Sequence, residues 1–174
     1  VRICTSLMWG YIWLGKKHMV FELYEEMMRQ DSTIMPNTYT FVALLSACNE
    51  LQDAENGRMI HRHIVQMGYD GHPFVGSMLL DMYAKLGLLC DGLQVFHGMS
   101  TRDVVSWSVL MAAYAEEGLL RDVIVFFQRM QLDNISPNVV TFLSILKACS
   151  NAINIDKGRE FHNEILQRGF ETQF

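Results

Sequence analysis

The phrase F-V-A-L-L-S-A-C at Phe41–Cys48 returns 101 residues later as F-L-S-I-L-K-A-C at Phe142–Cys149. Sliding the chain against itself at this offset gives eleven identities within one stretch of about thirty residues, including the rare types Cys and His. Self-similarity at a fixed spacing indicates a repeat architecture. The identities are Thr40/Thr141, Phe41/Phe142, Leu45/Leu146, Ala47/Ala148, Cys48/Cys149, Gly57/Gly158, Arg58/Arg159, His61/His162, Ile64/Ile165, Gln66/Gln167 and Gly68/Gly169.

The segment that precedes this stretch repeats as well, at an offset of 103 residues. Pro36-Asn37 still matches Pro137-Asn138 at 101, so two extra residues between Met27 and Pro36 explain the change of offset. The repetition therefore extends over the whole chain. The identities at 103 are Val1/Val104, Leu7/Leu110, Met8/Met111, Tyr11/Tyr114, Val20/Val123 and Met27/Met130.

Each repeat contains smaller units that read as helical hairpins. M-L-L-D-M-Y-A-K-L-G at 78–87 is an apolar helix that closes on Gly, and V-L-M-A-A-Y-A-E-E-G at 109–118 is another. The helix after the second shows apolar residues at i, i+3, i+4, i+7 and i+10 from Leu120, the stripe of an amphipathic helix. The sequence predicts helix pairs at 2–13/16–30, 39–50/53–67, 74–86/89–99, 105–117/119–133 and 140–151/154–168.

A hairpin of this size cannot bury its apolar face alone, whereas a stack of hairpins can. We therefore expect an all-α fold, a right-handed α-solenoid of stacked helix-turn-helix repeats. The formal charge of −5 over 174 residues argues against a strongly basic nucleic-acid clamp but leaves a local recognition groove open. No apolar run approaches the 18 or so residues of a membrane span.

The four cysteines lie in apolar helical segments without C-x-x-C spacing. This arrangement favours reduced, buried thiols over zinc ligands or disulfides. The thiols are Cys4, Cys48, Cys90 and Cys149.

The unit at 104–138, V-V-S-W-S-V-L-M-A-A-Y-A-E-E-G followed by L-L-R-D-V-I-V-F-F-Q-R-M-Q-L-D-N-I-S-P-N, resembles a pentatricopeptide repeat. Its neighbours resemble the variant repeats of the plant P-L-S subclass: 1–37 a P repeat, 38–72 an L repeat, 73–103 a short S repeat, and 139–173 a second L repeat. Phe174 would open another S repeat, so we expect a fragment of a longer protein. The nearest rival architecture is a tetratricopeptide array, but its W-x-x-L-G-x-x-Y signature is not found in this chain in this register.

This resemblance implies sequence-specific binding of single-stranded RNA, one base per repeat. In the family, the fifth and last residues of a repeat hydrogen-bond the base edge. The matching pairs here are Thr5 with Asn37, Ser77 with Asp103, and Ser108 with Asn138. By the family pattern, a hydroxyl with Asn favours adenine and a hydroxyl with Asp favours guanine. The L repeats offer Val42 with His72 and Leu143 with Gln173, which lie outside that code, so the expected target is 5′-A-N-G-A-N-3′.

The family's second residue packs on the face of the base, and here the second positions hold Arg2, Tyr39, Phe74, Val105 and Val140. Aromatic and branched side chains suit this contact, and Arg2 departs from the pattern. A structural interpretation stands beside the RNA one. Asn and Asp residues directly before a helix are ordinary N-caps, and capping alone could account for Asn37, Asp103 and Asn138.

We expect no catalysis and no cofactor from this chain. His162-Asn163-Glu164 spells the H-x-E that opens the zinc deaminase signature, but no P-C-x-x-C follows. His61-x-His63 places two histidines on different faces of a helix, so we expect no metal there. The acid pairs Glu25-Glu26 and Glu116-Glu117 read as solvated surface.

The resemblance further implies an organellar RNA-processing role, C-to-U editing above all, in a mitochondrion or a chloroplast. It implies organellar single-stranded RNA as the partner, small editing cofactor proteins at the L repeats, and a deaminase in a further C-terminal domain or in a separate protein. We expect no membrane partner. The alternative is a protein-binding scaffold, for which apolar or randomly varied fifth residues would argue; three of the five here are Ser or Thr.

Overall fold

The computed structural model describes residues 2–30 and 35–170. These residues form ten α-helices and turns with no strand, which confirms the all-α class. None of the described helices has both the length and the apolar character that crossing a membrane requires. The helices are α1 Arg2–Trp13, α2 His18–Gln30, α3 Thr38–Leu51, α4 Ala54–Gln66, α5 Pro73–Lys85, α6 Leu89–Gly98, α7 Val104–Glu116, α8 Leu120–Leu132, α9 Val139–Asn151 and α10 Ile155–Gln167.

Consecutive helices pack in pairs, α1 with α2 through α9 with α10, so the predicted hairpins are present. Every predicted helix bound lies within two residues of the observed one. Gly87 and Gly118 adopt φ of +68° and +69° in the turns inside their hairpins, a left-handed conformation that glycine adopts without steric cost. In the turn after α3 the left-handed residue is Gln52, with φ of +54°. In the turn after α9 it is Ile153, with φ of +51°. The turns inside the α3/α4 and α9/α10 hairpins therefore place a residue other than glycine in this conformation.

The first compact unit, residues 1–100, contains α1 to α6. Within it α3 contacts α1, α2, α4 and α5. Because α3 is covered from several sides, a continuous run from Thr40 to Leu45 is buried, along with Ala47 and Cys48. Helix α2 instead buries one stripe that includes Val20 and Tyr24 and leaves its glutamates in solvent. This division explains why the first helices are apolar all round and the second helices are amphipathic.

The second compact unit, residues 101–174, contains α7 to α10. Its core is aromatic: the ring centroid of Phe127 lies 5.7 Å from that of Phe142 and 5.5 Å from that of Phe161. These three residues come from α8, α9 and α10 and are each at most 5% exposed. Each such side chain contributes about 1.5–3 kcal/mol on burial, so the aromatic cluster holds three helices together.

The expectation of four buried thiols is wrong for two of them. Cys48 and Cys149 are buried, whereas Cys90 is exposed and Cys4 is half-buried. All four are free. Cys90 lies in the first turn of α6, on the side of an amphipathic second helix that faces solvent. The apolar neighbours of Cys90 in the sequence are therefore a poor guide to its burial.

Candidate nucleic-acid interface

Three of the predicted base-reading residues are helix N-caps. Oδ1 of Asn37, Asp103 and Asn138 accepts a hydrogen bond from the backbone N–H three residues later, at 3.0, 2.9 and 3.0 Å. In return, each cap residue donates its own N–H to the hydroxyl of Thr40, Ser106 or Thr141. These are capping boxes closed by a hydroxyl. The capping interpretation of the three residues is therefore confirmed.

Capping leaves one polar atom of each side chain without a partner. Within residues 2–30 and 35–170, no group hydrogen-bonds Nδ2 of Asn37 or Asn138, or Oδ2 of Asp103. Asp103 is exposed and the two asparagines are half-buried. The remaining atom is a donor in the asparagines and an acceptor in the aspartate. Capping and contact with a ligand are therefore compatible at all three positions.

The hydroxyls of Thr5 and Ser108, which are predicted to be the fifth residues of P repeats, lie beside two of these caps. Ser108 Oγ is 3.1 Å from Thr141 Oγ1, which donates to Oδ1 of Asn138 at 3.0 Å. Thr5 Oγ1 is 3.4 Å from Thr40 Oγ1, which donates to Oδ1 of Asn37 at 3.1 Å. The structure thus brings together two of the three predicted pairs, each through one threonine.

Burial of these hydroxyls is a feature that the sequence does not predict. Thr5 and Ser108 are 9% and 4% exposed, and Thr40 and Thr141 are fully buried. Ser77 is half-buried, and its hydroxyl donates to the carbonyl of Pro73 at 3.0 Å. Ser77 and Asp103 belong to different compact units, and their pairing stays a prediction.

The second-position residues are exposed apolar side chains. Each is the second residue of its helix, two positions after the N-cap. The exposed fractions are 65% for Tyr39, 50% for Phe74, 53% for Val105 and 51% for Val140. The side chain of Arg2 and all of Gln173 and Phe174 lie outside the described residues.

The predicted L repeats differ from the predicted P repeats at the fifth and last positions. Val42 is 6% exposed and lies in the core of the first unit, whereas Leu143 is 47% exposed. His72 is the exposed N-cap of α5 and makes no side-chain capping bond. Neither Val42 nor Leu143 can donate or accept a hydrogen bond, so these units offer no polar fifth residue.

Polar contacts join the α3/α4 hairpin to the α5/α6 hairpin that follows it. Arg58 Nη2 pairs with Asp91 at 2.9 Å, His61 Nδ1 lies 2.8 Å from the Tyr83 hydroxyl, and Asn49 Nδ2 donates to Asp81 at 3.1 Å. Burial lowers the pKa of His61, because desolvation penalises the imidazolium; Asp91 and Asp70 oppose that effect. These contacts hold α4 against α5 and α6 and α3 against α5.

The two histidines of the H-x-H sequence form hydrogen bonds with different residues. His61 bonds Tyr83, and His63 Nδ1 lies 3.0 Å from the hydroxyl of Tyr24. Across the described part of the chain, no group of three or more His, Cys, Asp or Glu side chains is placed to hold a metal ion.

Sequence reasoning did not identify Thr40 and Thr141 as part of the site. Their signal was present, because a hydroxyl residue three positions after an Asn or Asp is the pattern of a capping box, and the two threonines are identical in the internal alignment. What the pattern does not contain is the contact from each threonine back to the preceding hairpin.

Family models describe three parts of the chain. Residues 1–50 match the pentatricopeptide repeat domain, residues 102–151 match the PPR repeat family, and residues 140–170 match the PPR repeat. All three models describe the same kind of repeat, and together they span more than half of the chain.

Curated plant proteins are similar over almost the whole chain. A putative mitochondrial pentatricopeptide repeat-containing protein of Arabidopsis thaliana is 37% identical over 94% of this chain and 26% of its own length. A second pentatricopeptide repeat-containing protein of Arabidopsis thaliana, whose name gives no location, is 31% identical over 95% of this chain and 23% of its own length. The chain thus spans about a quarter of the length of the curated relatives it matches.

Solved structures agree in fold. The pentatricopeptide repeat protein PPR10 in complex with an 18-nt psaJ RNA element superimposes with a TM-score of 0.77 at 16% identity, over 86% of this chain and 22% of that one. A structure of PPR10 from maize gives 0.71 at 18% identity, over 95% of this chain and 24% of that one. This likeness confirms the α-solenoid fold class that the repeats predict. Three family models and the curated relatives agree that this chain is built of pentatricopeptide repeats.

Proposed function

We propose that this chain binds single-stranded RNA in a sequence-specific way, one base per repeat. The observation that carries the proposal is the unpartnered polar atom on each of three N-caps, with an exposed apolar side chain two residues further on. An atom of defined hydrogen-bonding sense beside an apolar platform is the combination that reads an unstacked base. PPR10, which shares the fold, has been solved in complex with an RNA element.

The proposed repeat frame is 1–37 (P), 38–72 (L), 73–103 (S), 104–138 (P) and 139–173 (L). In this frame Asn37, Asp103 and Asn138 each close one repeat, and Thr5, Ser77 and Ser108 are the fifth residues. The regular placement of the caps directly before α3, α7 and α9 supports this division.

The identity of the cap side chain provides a physical basis for the bases proposed. Guanine presents N–H donors at N1 and N2, which suit the free carboxylate oxygen of Asp103. Adenine presents an acceptor at N1, which suits the free Nδ2 of Asn37 and Asn138. The target proposed is therefore 5′-A-N-G-A-N-3′, with no base assigned to the L repeats.

Asp103→Asn tests the code, because it changes the free atom from acceptor to donor and keeps the capping oxygen. We expect the third base of the RNA to shift from G towards A, with unchanged thermal stability. Binding is measured by fluorescence anisotropy at low salt, against pentamers that carry each of the four bases at that place. An unchanged preference for G in the folded variant would overturn the assignment.

Low ionic strength matters in that experiment. The net charge of −5 makes the electrostatic share of binding small, and about five bases give a weak complex. Protein concentrations from micromolar to millimolar are therefore used, and the salt dependence is expected to be shallow.

We further propose that RNA binding addresses an organellar processing activity, C-to-U editing, to a transcript. Several similar Arabidopsis proteins are named as mitochondrial, which supports an organellar site of action in a mitochondrion or chloroplast. The deaminase would be supplied by a further domain of the protein or in trans.

The L repeats support a second, protein-binding role. Their second helices expose apolar side chains at matching positions, Val65 at 50% and Leu166 at 40%, and their fifth residues are apolar. A small editing cofactor protein is the partner proposed for them. If Val65→Ser and Leu166→Ser abolished capture of such a protein while leaving RNA affinity unchanged, the two roles would be separated; a loss of RNA affinity in these variants would contradict this division.

A further inference from the structure

We infer that Thr141 is a positioning residue for base recognition: it fixes the Ser108 hydroxyl as a hydrogen-bond acceptor, and so selects amino bases over keto bases. The inference rests on the proposed RNA-binding function. It follows from counting the protons shared by Ser108, Thr141 and Asn138.

The orientation of the Asn138 amide is fixed first. The oxygen Oδ1 must be the atom that faces the backbone N–H of Thr141, at 3.0 Å, because an N–H requires an acceptor. Thr141 Oγ1 lies 3.0 Å from the same oxygen. Since a carbonyl oxygen carries no proton, the single hydroxyl proton of Thr141 points to Asn138.

The sense of the next hydrogen bond is then determined. Thr141 Oγ1 receives the backbone N–H of Asn138 at 3.2 Å and has one lone pair left for Ser108, 3.1 Å away. With the threonine proton already used, Ser108 must donate. Reversing this bond would leave two acceptor atoms, Thr141 Oγ1 and Asn138 Oδ1, facing each other at 3.0 Å, and would cost the pair its hydrogen bond.

Burial makes this arrangement persistent. Thr141 is fully buried and Ser108 is 4% exposed, so water competes poorly for these hydroxyls. In a site with little water, an unpaired hydroxyl is costly. Ser108 therefore presents only lone pairs to an incoming base, while Asn138 presents the two N–H groups of Nδ2.

An acceptor beside a donor fits one class of base. Adenine and cytosine both place an amino group next to a ring-nitrogen acceptor on the Watson–Crick edge. Guanine and uracil place a carbonyl oxygen next to a ring N–H, which opposes Ser108 and Asn138 at both points. The three-residue unit thus distinguishes amino bases from keto bases.

The first P-type unit carries the same arrangement. Thr40 Oγ1 donates to Oδ1 of Asn37 at 3.1 Å and accepts the Asn37 N–H at 3.3 Å, and Thr5 lies 3.4 Å away. The third capping box differs, because the Ser106 hydroxyl donates to the carbonyl oxygen of Asp103 at 2.9 Å. Ser106 therefore serves as a matched control.

The test replaces Thr141 with Val, which keeps the shape and removes the hydroxyl. Released from the threonine, the Ser108 hydroxyl can rotate and donate to a keto oxygen. In pentamers 5′-AUGXU-3′ with X varied, we expect the A-over-G and C-over-U affinity ratios each to fall roughly ten-fold, from the loss of one discriminating contact. The A-over-C ratio is expected to stay unchanged. Thr141→Ser should restore both ratios, and Ser106→Ala should leave them unaltered.

Equal A-over-G ratios in the wild type and in folded Thr141→Val would overturn the inference, as would a change confined to total affinity. If Thr141→Val does not fold, Thr40→Val tests the first base in the same way. The proposed function has its own control in Ser108→Ala and Asn138→Asp. If neither variant alters base preference, one-base-per-repeat recognition fails; if both do while Thr141→Val does not, only the positioning role fails.

Discussion

Nδ1 of His61 lies 2.8 Å from the hydroxyl oxygen of Tyr83, and this hydrogen bond joins α4 to α5 in the first compact unit. The two rings meet edge to face, with centroids 5.5 Å apart. Burial raises the pKa of Tyr83 to about 12 and lowers the pKa of His61. Both groups are therefore neutral near pH 7, where one of them donates and the other accepts the hydrogen bond between them.

Stability is expected to fall in mild acid because of His61. Its pKa is lower in the folded chain than in the unfolded chain, so the unfolded state takes up the proton first. The contribution of neutral His61 is present above the unfolded value of about 6.5 and is lost as the pH falls through the folded value. Urea unfolding at pH 7.5 and 5.5 measures this loss.

His61→Gln is expected to reduce the free energy of unfolding at pH 7.5 by about 1 kcal/mol, the usual net contribution of one such hydrogen bond. The variant should also flatten the pH dependence of that free energy. His162→Gln, at the matching but exposed position of the α9/α10 hairpin, is the control and should retain that dependence. An equally steep acid loss in His61→Gln would show that another group is responsible.

Asn138→Ala is expected to lower the free energy of unfolding by about 1 kcal/mol, because the helix α9 loses its N-cap. Asn138→Asp keeps the capping oxygen and should cost nothing measurable. Thermal denaturation followed by circular dichroism compares the two variants. Equal destabilisation by Ala and Asp would mean that the amide group, and not Oδ1 alone, holds the helix end.

Two matching glycines are expected to respond differently to alanine. A Cβ at Gly57 would meet Sδ of Met82 at 2.8 Å, whereas a Cβ at Gly158 would meet nothing nearer than 3.7 Å, the Cβ of Cys149. Gly158→Ala should therefore stabilise α10 by about 1 kcal/mol, the helix-propensity difference.

For Gly57→Ala the same gain should be cancelled or reversed, since Met82 is fully buried and must move. Denaturant titration of both variants gives the comparison. A greater gain at Gly57 than at Gly158 would contradict the packing of α4 against α5.

The four thiols are expected to react in the order of their exposure. Cys90 should be alkylated first and Cys4 next, with Cys48 and Cys149 protected in the folded chain. Burial raises the pKa of Cys48 to about 12, with Asp53 adding to the effect, so its reactive thiolate is scarce. Mass spectrometry after timed treatment with iodoacetamide measures the order. Rapid labelling of Cys48 without denaturant would contradict its burial.

Much of the fold could be predicted because the repeat copies constrain one another. The 3.6-residue apolar spacing in α8 and the identities around His61 set helix positions to within two residues. The N-cap roles of Asn37 and Asn138 followed from their place before those helices.

Properties that depend on contacts between hairpins could not be predicted. The burial of Ser108 results from its contact with Thr141, 33 residues further along the chain. No local pattern encodes such a contact. Likewise, the exposure of Cys90 depends on which face of α6 meets α5, and its apolar sequence neighbours do not reveal that face.

The N-caps have a consequence for how such a chain can change over generations. Asn and Asp present the same capping oxygen, so exchanging them at Asn37, Asp103 or Asn138 leaves the helix start intact. Under the base code proposed above, a single-nucleotide change between Asn and Asp codons redirects one unit to another base without a loss of folding stability. New RNA targets would then be reached one base at a time, and each intermediate would remain a folded protein.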